Sequence, residues 1–331
     1  MIVAVIGGGQ LGRMLALAGI PLGLSFRFLD PSADAPAAEV GELIVGEYDD
    51  PALLDRLADG AAAVTYEFEN VPVEAAERIG ARPAAAALRA SQDRLVEKRL
   101  FRELGIPTAR IDDEVEAFPA ILKTRRLGYD GKGQRLVEAW EGPGLSHVLE
   151  ERVPFDRELS LLAVRAADGE TRFWPLAENV HEAGILRVSR APAANAPQAE
   201  AEGYGARLLD ALGYVGVLAL ELFDVGGRLL ANEFAPRVHN TGHWTIEGAM
   251  TSQFENHLRA ILGLPLGPTE SRSSVMVNLI GSPPRSDDVL RIPGAHLHLY
   301  GKEPRPGRKL GHVTLVEPTP ESERALHDLL V

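Results

Sequence analysis

The sequence contains no cysteine, and this absence excludes several kinds of chemistry at once. Disulfides, thiol nucleophiles, cysteine-based zinc sites and iron–sulfur clusters all need a thiol. The 331 residues also include no apolar run near the roughly 18 residues that span a bilayer. The apolar segment 1–6 has no basic residues before it and ends at glycines, unlike a secretory signal. We therefore expect a cytoplasmic protein with no membrane partner.

Positive charge is scarce. Lysine and arginine number 34 against 47 aspartates and glutamates, which gives a net charge of −13 and argues against a nucleic-acid partner. Lysine itself is rare, at five residues against 29 arginines. Where arginine is the default cation, each remaining lysine is a candidate for a site that needs a compact ammonium group. The five are Lys98, Lys123, Lys132, Lys302 and Lys309.

The chain length predicts two or three domains. Residues 1–90 alternate short apolar strands with amphipathic helices, which indicates a doubly wound α/β unit. The alanine-rich stretch 81–88 is the predicted boundary. Residues 91–266 open with a helix, for which Ser91 is the predicted N-cap, and then become rich in strands. Residues 267–331, with short strands and many prolines, predict a small β-rich C-terminal domain.

A glycine motif follows the first predicted strand and opens a helix. Gly7, Gly9 and Gly12 have the spacing of the dinucleotide fingerprint, and Asp30 follows eighteen residues later. In that fingerprint the glycines admit a pyrophosphate and the acidic residue holds a ribose. An NAD-binding protein is therefore one hypothesis. The same turn could instead approach another ligand, or serve packing alone.

A second glycine-rich segment comes after a predicted strand that ends at Lys123. An ammonium group beside a loop whose backbone N–H groups can close over anions suits a polyphosphate. The segment is not a Walker A loop, because its lysine precedes the glycines. An ordinary hairpin is the alternative. The loop residues are Gly128, Tyr129, Asp130, Gly131, Lys132, Gly133 and Gln134.

Two glutamates lie on the arms of a predicted hairpin. Glu221 and Glu233 are equally distant from Gly227, so a turn centred near it sets them opposite each other to within about one residue. Opposed like charges destabilise a strand pair unless a cation lies between them. Magnesium suits this position, because it is held by one or two carboxylates plus substrate phosphates, and Asn232 offers a further oxygen. Alternatively, one carboxylate faces solvent or an arginine.

Dense polar chemistry follows the hairpin directly. Arg237 can pair with a phosphate or a carboxylate, and His239, Asn240 and His243 come within the next six residues. Histidines four residues apart are compatible with a zinc site on a helix. The missing glutamate between them and the absence of thiols favour contact with a substrate instead.

A basic segment stands out within the acidic chain. Between Arg291 and His312 there are five cations and one anion. A phosphomonoester or a nucleotide would suit such a group, whereas a solvated surface run is the alternative. The candidate ligands are Lys302, Arg305, Arg308 and Lys309.

Taken in order, these motifs resemble the ATP-grasp superfamily and, within it, the 5-(carboxyamino)imidazole ribonucleotide synthase family. The resemblance extends from Ile2 to about Leu315. Its most specific segments are 9–14 (GQLGRM), 128–134 (GYDGKGQ), 232–240 (NEFAPRVHN), 242–244 (GHW) and 305–309 (RPGRK). The stretch 237–244 distinguishes this family from biotin carboxylase and from the formate-dependent glycinamide ribonucleotide transformylase.

The resemblance implies an ATP-grasp fold with an N-terminal pre-ATP-grasp domain. It also implies an ATP- and bicarbonate-dependent carboxylation of 5-aminoimidazole ribonucleotide in purine biosynthesis, with two Mg²⁺ ions and a homodimer. Another ATP-grasp ligase, acting on a different ribonucleotide, is the alternative. The charged pair Glu151-Arg152 in the predicted hinge departs from the more neutral residues expected there.

The resemblance assigns site residues as well. For ATP they are Arg94, Lys123, the loop 128–134, Glu150, Glu151, Arg152, Val153, Glu158, His181, Asn232 and Glu233, and for Mg²⁺ they are Glu221 and Glu233. For the ribonucleotide they are Gly9, Gln10, Glu69, Tyr129, Asp130, Arg237, Lys302, Arg305, Arg308 and Lys309. The expected catalytic residues are Lys123, Arg237, His239, Asn240 and His243.

Overall fold

The computed structural model describes residues 1–128, 133–140 and 142–330. Its N-terminal part is a parallel sheet of β1 (Ile2–Ile6), β2 (Ser25–Asp30), β3 (Glu42–Val45) and β4 (Ala61–Tyr66), in the order β3-β2-β1-β4. The helices here are α1 (Gln10–Gly19), α2 (Pro51–Ala58), α3 (Val73–Arg78) and α4 (Ala85–Ser91). Strand β1 lies inside the sheet and is buried from Val3 to Ile6, which explains its uninterrupted apolar sequence. The predicted α/β alternation is confirmed.

The predicted start of the next helix needs a correction. Helix α5 (Arg94–Glu103) is capped by Asp93, whose Oδ1 accepts the Leu95 N–H at 3.1 Å, and Ser91 is instead the last residue of α4. The predicted boundary segment 81–88 is not an extended linker, because half of it lies in α4. Its alanines pack that helix closely against α3 and α5, and Ala87 is fully buried.

A small antiparallel sheet follows, formed by β5 (Ala120–Thr124), β6 (Gln134–Val137) and β7 (His147–Glu150), with β5 in the middle. The strands of the large sheet are β8 (Arg157–Arg165), β9 (Thr171–Phe173), β10 (Ala177–Glu182), β11 (Ile185–Ala191), β12 (Gly216–Val225), β13 (Arg228–Ala235), β14 (Ser274–Ile280), β15 (Ala295–Leu299) and β16 (Lys309–Val316). Their order is β13-β12-β8-β10-β11-β14-β16-β15, and β9 pairs with β8. The C-terminal strands therefore continue the large sheet through the β11–β14 pair.

The remaining helices are α6 (Gln198–Ala211), α7 (Thr245–Gly248), α8 (Gln253–Leu262), α9 (Ser286–Leu290) and α10 (Pro320–Leu330). Short 3₁₀ turns span Ile20–Leu22, Pro36–Glu39, Asp112–Glu114 and Asn240–Gly242. No helix in the described part of the chain has both the length and the hydrophobicity needed to cross a bilayer.

Helix α8 joins the two larger sheets. Its residues Phe254 and Leu258 belong to one apolar core with β1 and β2 on one side and β12 on the other. Beside this core, His257 accepts the Val217 N–H on Nδ1 at 3.1 Å, and its Nε2 lies 2.9 Å from the Thr65 hydroxyl. Because Nδ1 is an acceptor, Nε2 carries the proton and donates to Thr65. A neutral histidine thus connects β12 to β4.

We expect His257 to make stability pH-dependent, because burial lowers its pKa to about 3. The unfolded side chain titrates near pH ~6.5, so between these values only the unfolded state binds the proton and stability falls as the pH falls. The loss is about 1.4 kcal/mol per pH unit, or about 2 kcal/mol at pH 5. The measurement is urea unfolding at pH 7.5 and at pH 5.0. Between these pH values, the free energy of unfolding should fall by about 2 kcal/mol less in His257→Gln than in the wild type.

The control for this prediction is His327→Gln, which changes an exposed histidine on α10. It should keep the wild-type pH dependence. If the free energy of unfolding depended equally on pH in His257→Gln and in the wild type, His257 would not be held neutral by the fold.

Candidate active site

The two hairpin glutamates lie opposite each other, as their spacing predicts: Glu221 on β12 is paired in register with Glu233 on β13. The Glu221 side chain is 16% exposed and that of Glu233 is 40% exposed. Burial, followed by the charge of Glu233, raises the pKa of Glu221 to about 8. Burial also acts on Glu233, but Arg94, whose Nη1 lies 2.7 Å from Glu233 Oε2, outweighs it and lowers that pKa. One carboxylate of the pair is thus held charged and the other tends to keep a proton.

This pair fits a magnesium ion. Beside it, Asn232 Oδ1 is buried and has no hydrogen-bond partner among the described residues. Within the same residues, no group of three or more histidine, aspartate and glutamate side chains could hold a metal. Two carboxylates and one amide oxygen are a small donor set, which suits a cation that takes its other ligands from phosphates and water. It does not suit the closed coordination of structural zinc.

Two lysines share one buried carboxylate beside the hairpin. Lys123 Nζ lies 2.5 Å from Glu150 Oε1, and the fully buried Lys98 Nζ lies 3.3 Å from Glu150 Oε2. Lys98 also donates to the Asn232 carbonyl at 2.9 Å, so it connects the small sheet to β13. Burial opposes the charge on Glu150, but Lys123 and Lys98 outweigh it and lower the pKa of Glu150 to about 2. Lys98 and Lys123 together form a positively charged surface, the lysine wall, which suits phosphate groups.

Glu158 and His181 lie beside the hairpin on the large sheet. Strand β8 places Glu158 opposite Phe223 of β12, and His181 Nδ1 lies 2.6 Å from Glu158 Oε2. Burial opposes protonation of His181, but Glu158 and Glu221 outweigh it and raise the pKa of the imidazole. The structure thus brings these two predicted ATP residues together next to Glu221.

The predicted hinge residues point in different directions. Glu150 faces the lysines, whereas the Glu151 carboxylate accepts from Arg110 at 2.9 Å and 3.0 Å. Arg152 is exposed, and Val153 is partly buried. The unusual charge of Glu151 is therefore balanced by Arg110, away from the lysine pair.

Arg237 connects the hairpin end to the N-terminal part of the chain. It forms an ion pair with Glu69 and donates to the Val238 carbonyl at 3.0 Å. Next to it, His239 Nε2 lies 3.6 Å from Glu221 Oε1. Burial, followed by the charges of Arg237 and Lys309, lowers the pKa of His239 well below its usual value. The site therefore holds a neutral imidazole between the carboxylate pair and a group of cations.

The backbone N–H groups of the first glycine motif donate to carboxylates of the protein itself. The N–H groups of Gly9 and Gly12 donate to the two Glu67 carboxylate oxygens at 3.0 Å and 3.2 Å. A Cβ on Gly9 would come within 2.7 Å of the same carboxylate, which explains the glycine. Asp30 accepts from the Gly8 N–H at 2.8 Å. The donors that would receive a pyrophosphate are thus occupied by the protein's own carboxylates, which argues against the NAD hypothesis.

Family models match nearly the whole chain. They are a ribonucleotide synthetase preATP-grasp domain over residues 1–92, an ATP-grasp domain over 107–254 and a phosphoribosylaminoimidazole carboxylase C-terminal domain over 274–325. A relative from Pseudomonas aeruginosa, an N5-carboxyaminoimidazole ribonucleotide synthase, is 52% identical and covers 95% of this chain and 94% of its own.

Solved structures agree. The N5-carboxyaminoimidazole ribonucleotide synthetase of Thermus thermophilus is 55% identical with a TM-score of 0.94, covering 100% of this chain and 98% of its own. The Aspergillus clavatus synthase, in complex with ADP and 5-aminoimidazole ribonucleotide, is 31% identical with a TM-score of 0.87, over 99% and 97%. The chain belongs to the N5-carboxyaminoimidazole ribonucleotide synthase family. The predicted ATP-grasp fold and the predicted ATP-dependent ligase class are thereby confirmed.

Asn240 and His243 belong to the stretch that characterises this synthase family, and we expected both to be catalytic. The structure gives each of them other contacts. The Asn240 amide exchanges two hydrogen bonds with Asn278 of β14, at 3.1 Å and 2.8 Å. His243 is fully buried, with its ring 4.9 Å from that of His312 and 5.6 Å from that of Phe254. Its predicted catalytic role by direct contact does not fit this burial. The 3₁₀ turn that precedes His243 packs against β10 and β11, and the His243 ring lies in the protein core.

The basic loop reaches the N-terminal part of the chain. Lys302 donates to the side chain of Gln10, so two predicted ribonucleotide residues from opposite ends of the sequence meet. Arg308 donates to the Glu303 carbonyl at 3.0 Å, and Arg305 is exposed. The charge of Lys309 acts on both His181 and His239. The loop therefore borders the same region as the hairpin.

The second glycine loop is described only at its ends. Gly133 has a φ of +76°, and its carbonyl accepts the Thr124 N–H at 2.7 Å, so the loop returns beside the strand that carries Lys123. Gln134 pairs with Lys123 in the small sheet. The predicted ligands Tyr129, Asp130, Gly131 and Lys132 lie outside the described residues.

Residues that the sequence analysis did not assign complete the site. Glu67 fills the glycine turn, Lys98 holds Glu150, and Glu97 accepts the Phe234 N–H at 2.7 Å. Two of these residues carried a signal: Lys98 is one of five lysines in an arginine-rich chain, and Glu67 directly follows a predicted strand of the first domain. The contacts of Glu67 and Glu97 join residues far apart in sequence and follow no local pattern.

Proposed function

We propose that this chain carboxylates 5-aminoimidazole ribonucleotide with ATP and bicarbonate, forming the N-carboxy derivative. The observation that carries the proposal is the meeting of two different sites around Glu221. On one side lie the lysine wall and the carboxylate pair, which suit a nucleotide polyphosphate. On the other side lie Arg237, His239 and the basic loop, which suit a second, phosphorylated substrate.

Bicarbonate is a poor electrophile, so it first needs a leaving group. One bicarbonate oxygen attacks the γ-phosphorus of ATP, the bond to ADP breaks, and carboxyphosphate forms. The exocyclic amine of the ribonucleotide then attacks the carboxyl carbon, either directly or after carbon dioxide is released, and phosphate and a proton leave. Lys123 and Arg237 would stabilise the charge on the transferring group.

Glu221, Glu233 and Asn232 would hold Mg²⁺, which would supply positive charge to offset that of the phosphates. Two ions are proposed, as the family resemblance implies. Arg94 keeps Glu233 charged for this role, and a bound cation would lower the raised pKa of Glu221.

Release of ADP tests the proposal. The purified chain is given Mg-ATP and bicarbonate, with and without 5-aminoimidazole ribonucleotide. We expect ADP release to depend strongly on the ribonucleotide. Equal ADP release without it would indicate a different acceptor, and no ADP in either case would contradict ATP-grasp chemistry in this chain.

The basic loop predicts a further result. Arg308→Gln should raise KM for the ribonucleotide by about tenfold to a hundredfold, because one charge-assisted contact to its phosphate is lost. The kcat should change little, since this contact positions rather than reacts. Steady-state kinetics at saturating ATP measure both constants.

Arg324→Gln is the matched control, because Arg324 is an exposed arginine on α10. It should leave both constants unchanged. A fall in kcat with an unchanged KM in Arg308→Gln would place Arg308 in the chemical step instead.

A further inference from the structure

Gln253, the first residue of α8, is fully buried next to the hairpin end. Its Oε1 accepts the His239 N–H at 2.8 Å, and its Nε2 donates to the His239 carbonyl at 2.6 Å. One side-chain amide therefore satisfies both backbone groups of one residue. His239 lies beyond the end of β13, so no strand among the described residues supplies these partners, which buried backbone groups need; its carbonyl also accepts the Gly242 N–H at 3.1 Å.

The His239 ring is held separately from its backbone. Its Nδ1 lies 3.0 Å from the hydroxyl of Thr241, and its Nε2 faces Glu221. The Thr241 contact sets the rotation of the ring, but the position of the Cα depends on the backbone. Gln253 is the side chain that holds the backbone, and so it sets the distance between the imidazole and the carboxylate pair.

Gly242 makes room for this contact. A Cβ on Gly242 would come within 2.8 Å of both Cδ and Nε2 of Gln253, and within 2.4 Å of Leu162. The Thr245 hydroxyl further fixes the geometry, accepting the Gln253 N–H at 3.0 Å and donating to the Gly242 carbonyl at 2.7 Å. The glycine between Thr241 and His243 is thus explained by Leu162 and the buried amide of Gln253 together.

We propose that Gln253 is a positioning residue for the carboxylation site, which acts by fixing the backbone of His239 opposite Glu221. The role in catalysis rests on the proposed function, whereas the effect on the position of His239 does not. Among the described residues, Gln253 makes no hydrogen bond to the carboxylate pair or to the two lysines, and its Nε2 also lies 3.5 Å from Nδ1 of the buried His243.

The same helix provides a matched control. Asn256, also fully buried, makes the same pair of bonds to Gly267: it accepts the Gly267 N–H at 2.7 Å and donates to the Gly267 carbonyl at 3.0 Å. Gly267 follows α8 in the sequence, whereas His239 precedes it. Asn256→Leu therefore removes the same kind of contact without altering the hairpin end.

The experiment compares Gln253→Met, Gly242→Ala and Asn256→Leu with the wild type, below the lowest melting temperature of the set. In Gln253→Met, kcat should fall by about tenfold to a hundredfold, because a small misplacement of a reacting geometry has effects of this size. KM for ATP should stay within about threefold, since the lysine wall is untouched. Gly242→Ala should reproduce this pattern, and Asn256→Leu should keep the wild-type kcat.

The second readout is independent of turnover. Nuclear magnetic resonance of ¹⁵N-labelled histidine, with the His239 signals assigned by His239→Gln, reports the ring environment. We expect these signals to move in Gln253→Met and Gly242→Ala and to stay in place in Asn256→Leu. Unmoved signals in Gln253→Met, or equal kcat losses in Gln253→Met and Asn256→Leu, would overturn the inference. If the wild type shows no ribonucleotide-dependent turnover, the proposed function fails, and the signals alone still decide whether Gln253 positions His239.

Discussion

Replacing Glu233 with glutamine should lower ribonucleotide-dependent ADP release by about a thousandfold or more, which is the scale of losing a principal electrostatic group at a reacting phosphate. The change keeps the shape of the side chain but removes the charge that faces Glu221 in register. If the pair binds Mg²⁺ as proposed, the loss of that charge should abolish this affinity and leave the phosphate charge without its counterion. The measurement is ADP release as a function of Mg²⁺ concentration.

The control for Glu233→Gln separates metal binding from the loss of an ion pair. Glu233 pairs with Arg94 of α5, and on the same helix Arg102 binds Glu114 through two contacts of 2.7 Å. Glu114→Gln removes the second pair and should leave turnover at the wild-type rate. Wild-type ADP release in Glu233→Gln would make the metal assignment wrong.

The hairpin shows which part of the site local sequence can predict. Counting residues around Gly227 predicts the pairing of Glu221 and Glu233 only to within about one residue. In the structure the turn is centred between Gly226 and Gly227, and it pairs Val225 with Arg228 and Leu222 with Ala231. That register, continued, would set Glu221 opposite Asn232, but a shift between Glu221 and Leu222 sets Glu221 opposite Glu233 instead. The pairing of the two glutamates therefore depends on a bulge that counting does not predict.

The first glycine motif shows where local sequence is ambiguous. Glycines that expose N–H groups at a helix start bind an anion, but the pattern does not say which one. Here the anion is Glu67, which lies more than fifty residues away in sequence. The same limit applies to Gln253, whose amide reaches back to His239. Strands β10 and β11 were missed for a different reason, since their polar and apolar residues do not form a long apolar run.

Lys123→Met should cause the largest combined loss. The residue is nearly buried and pairs with Glu150 at 2.5 Å, so its removal leaves a buried carboxylate with Lys98 alone, at 3.3 Å. Breaking a buried ion pair in this way costs about 3 kcal/mol of folding stability. The substitution also removes a cation from the lysine wall, so kcat/KM for ATP should fall by about a hundredfold to a thousandfold.

Two further substitutions distinguish these two effects. In the triple variant Lys123→Met, Glu150→Gln and Lys98→Met, none of these three buried groups is left as an unpaired charge, so the unfolding free energy should recover by about 2 kcal/mol relative to Lys123→Met. The kcat/KM for ATP should stay low, because no cation has been restored. Recovery of kcat/KM together with stability would instead mean that Lys123 only maintains the fold. Stability and ATP use therefore have to respond differently to the two added substitutions if Lys123 binds phosphate, and urea unfolding and initial rates on the wild type, the single variant and the triple variant decide the question.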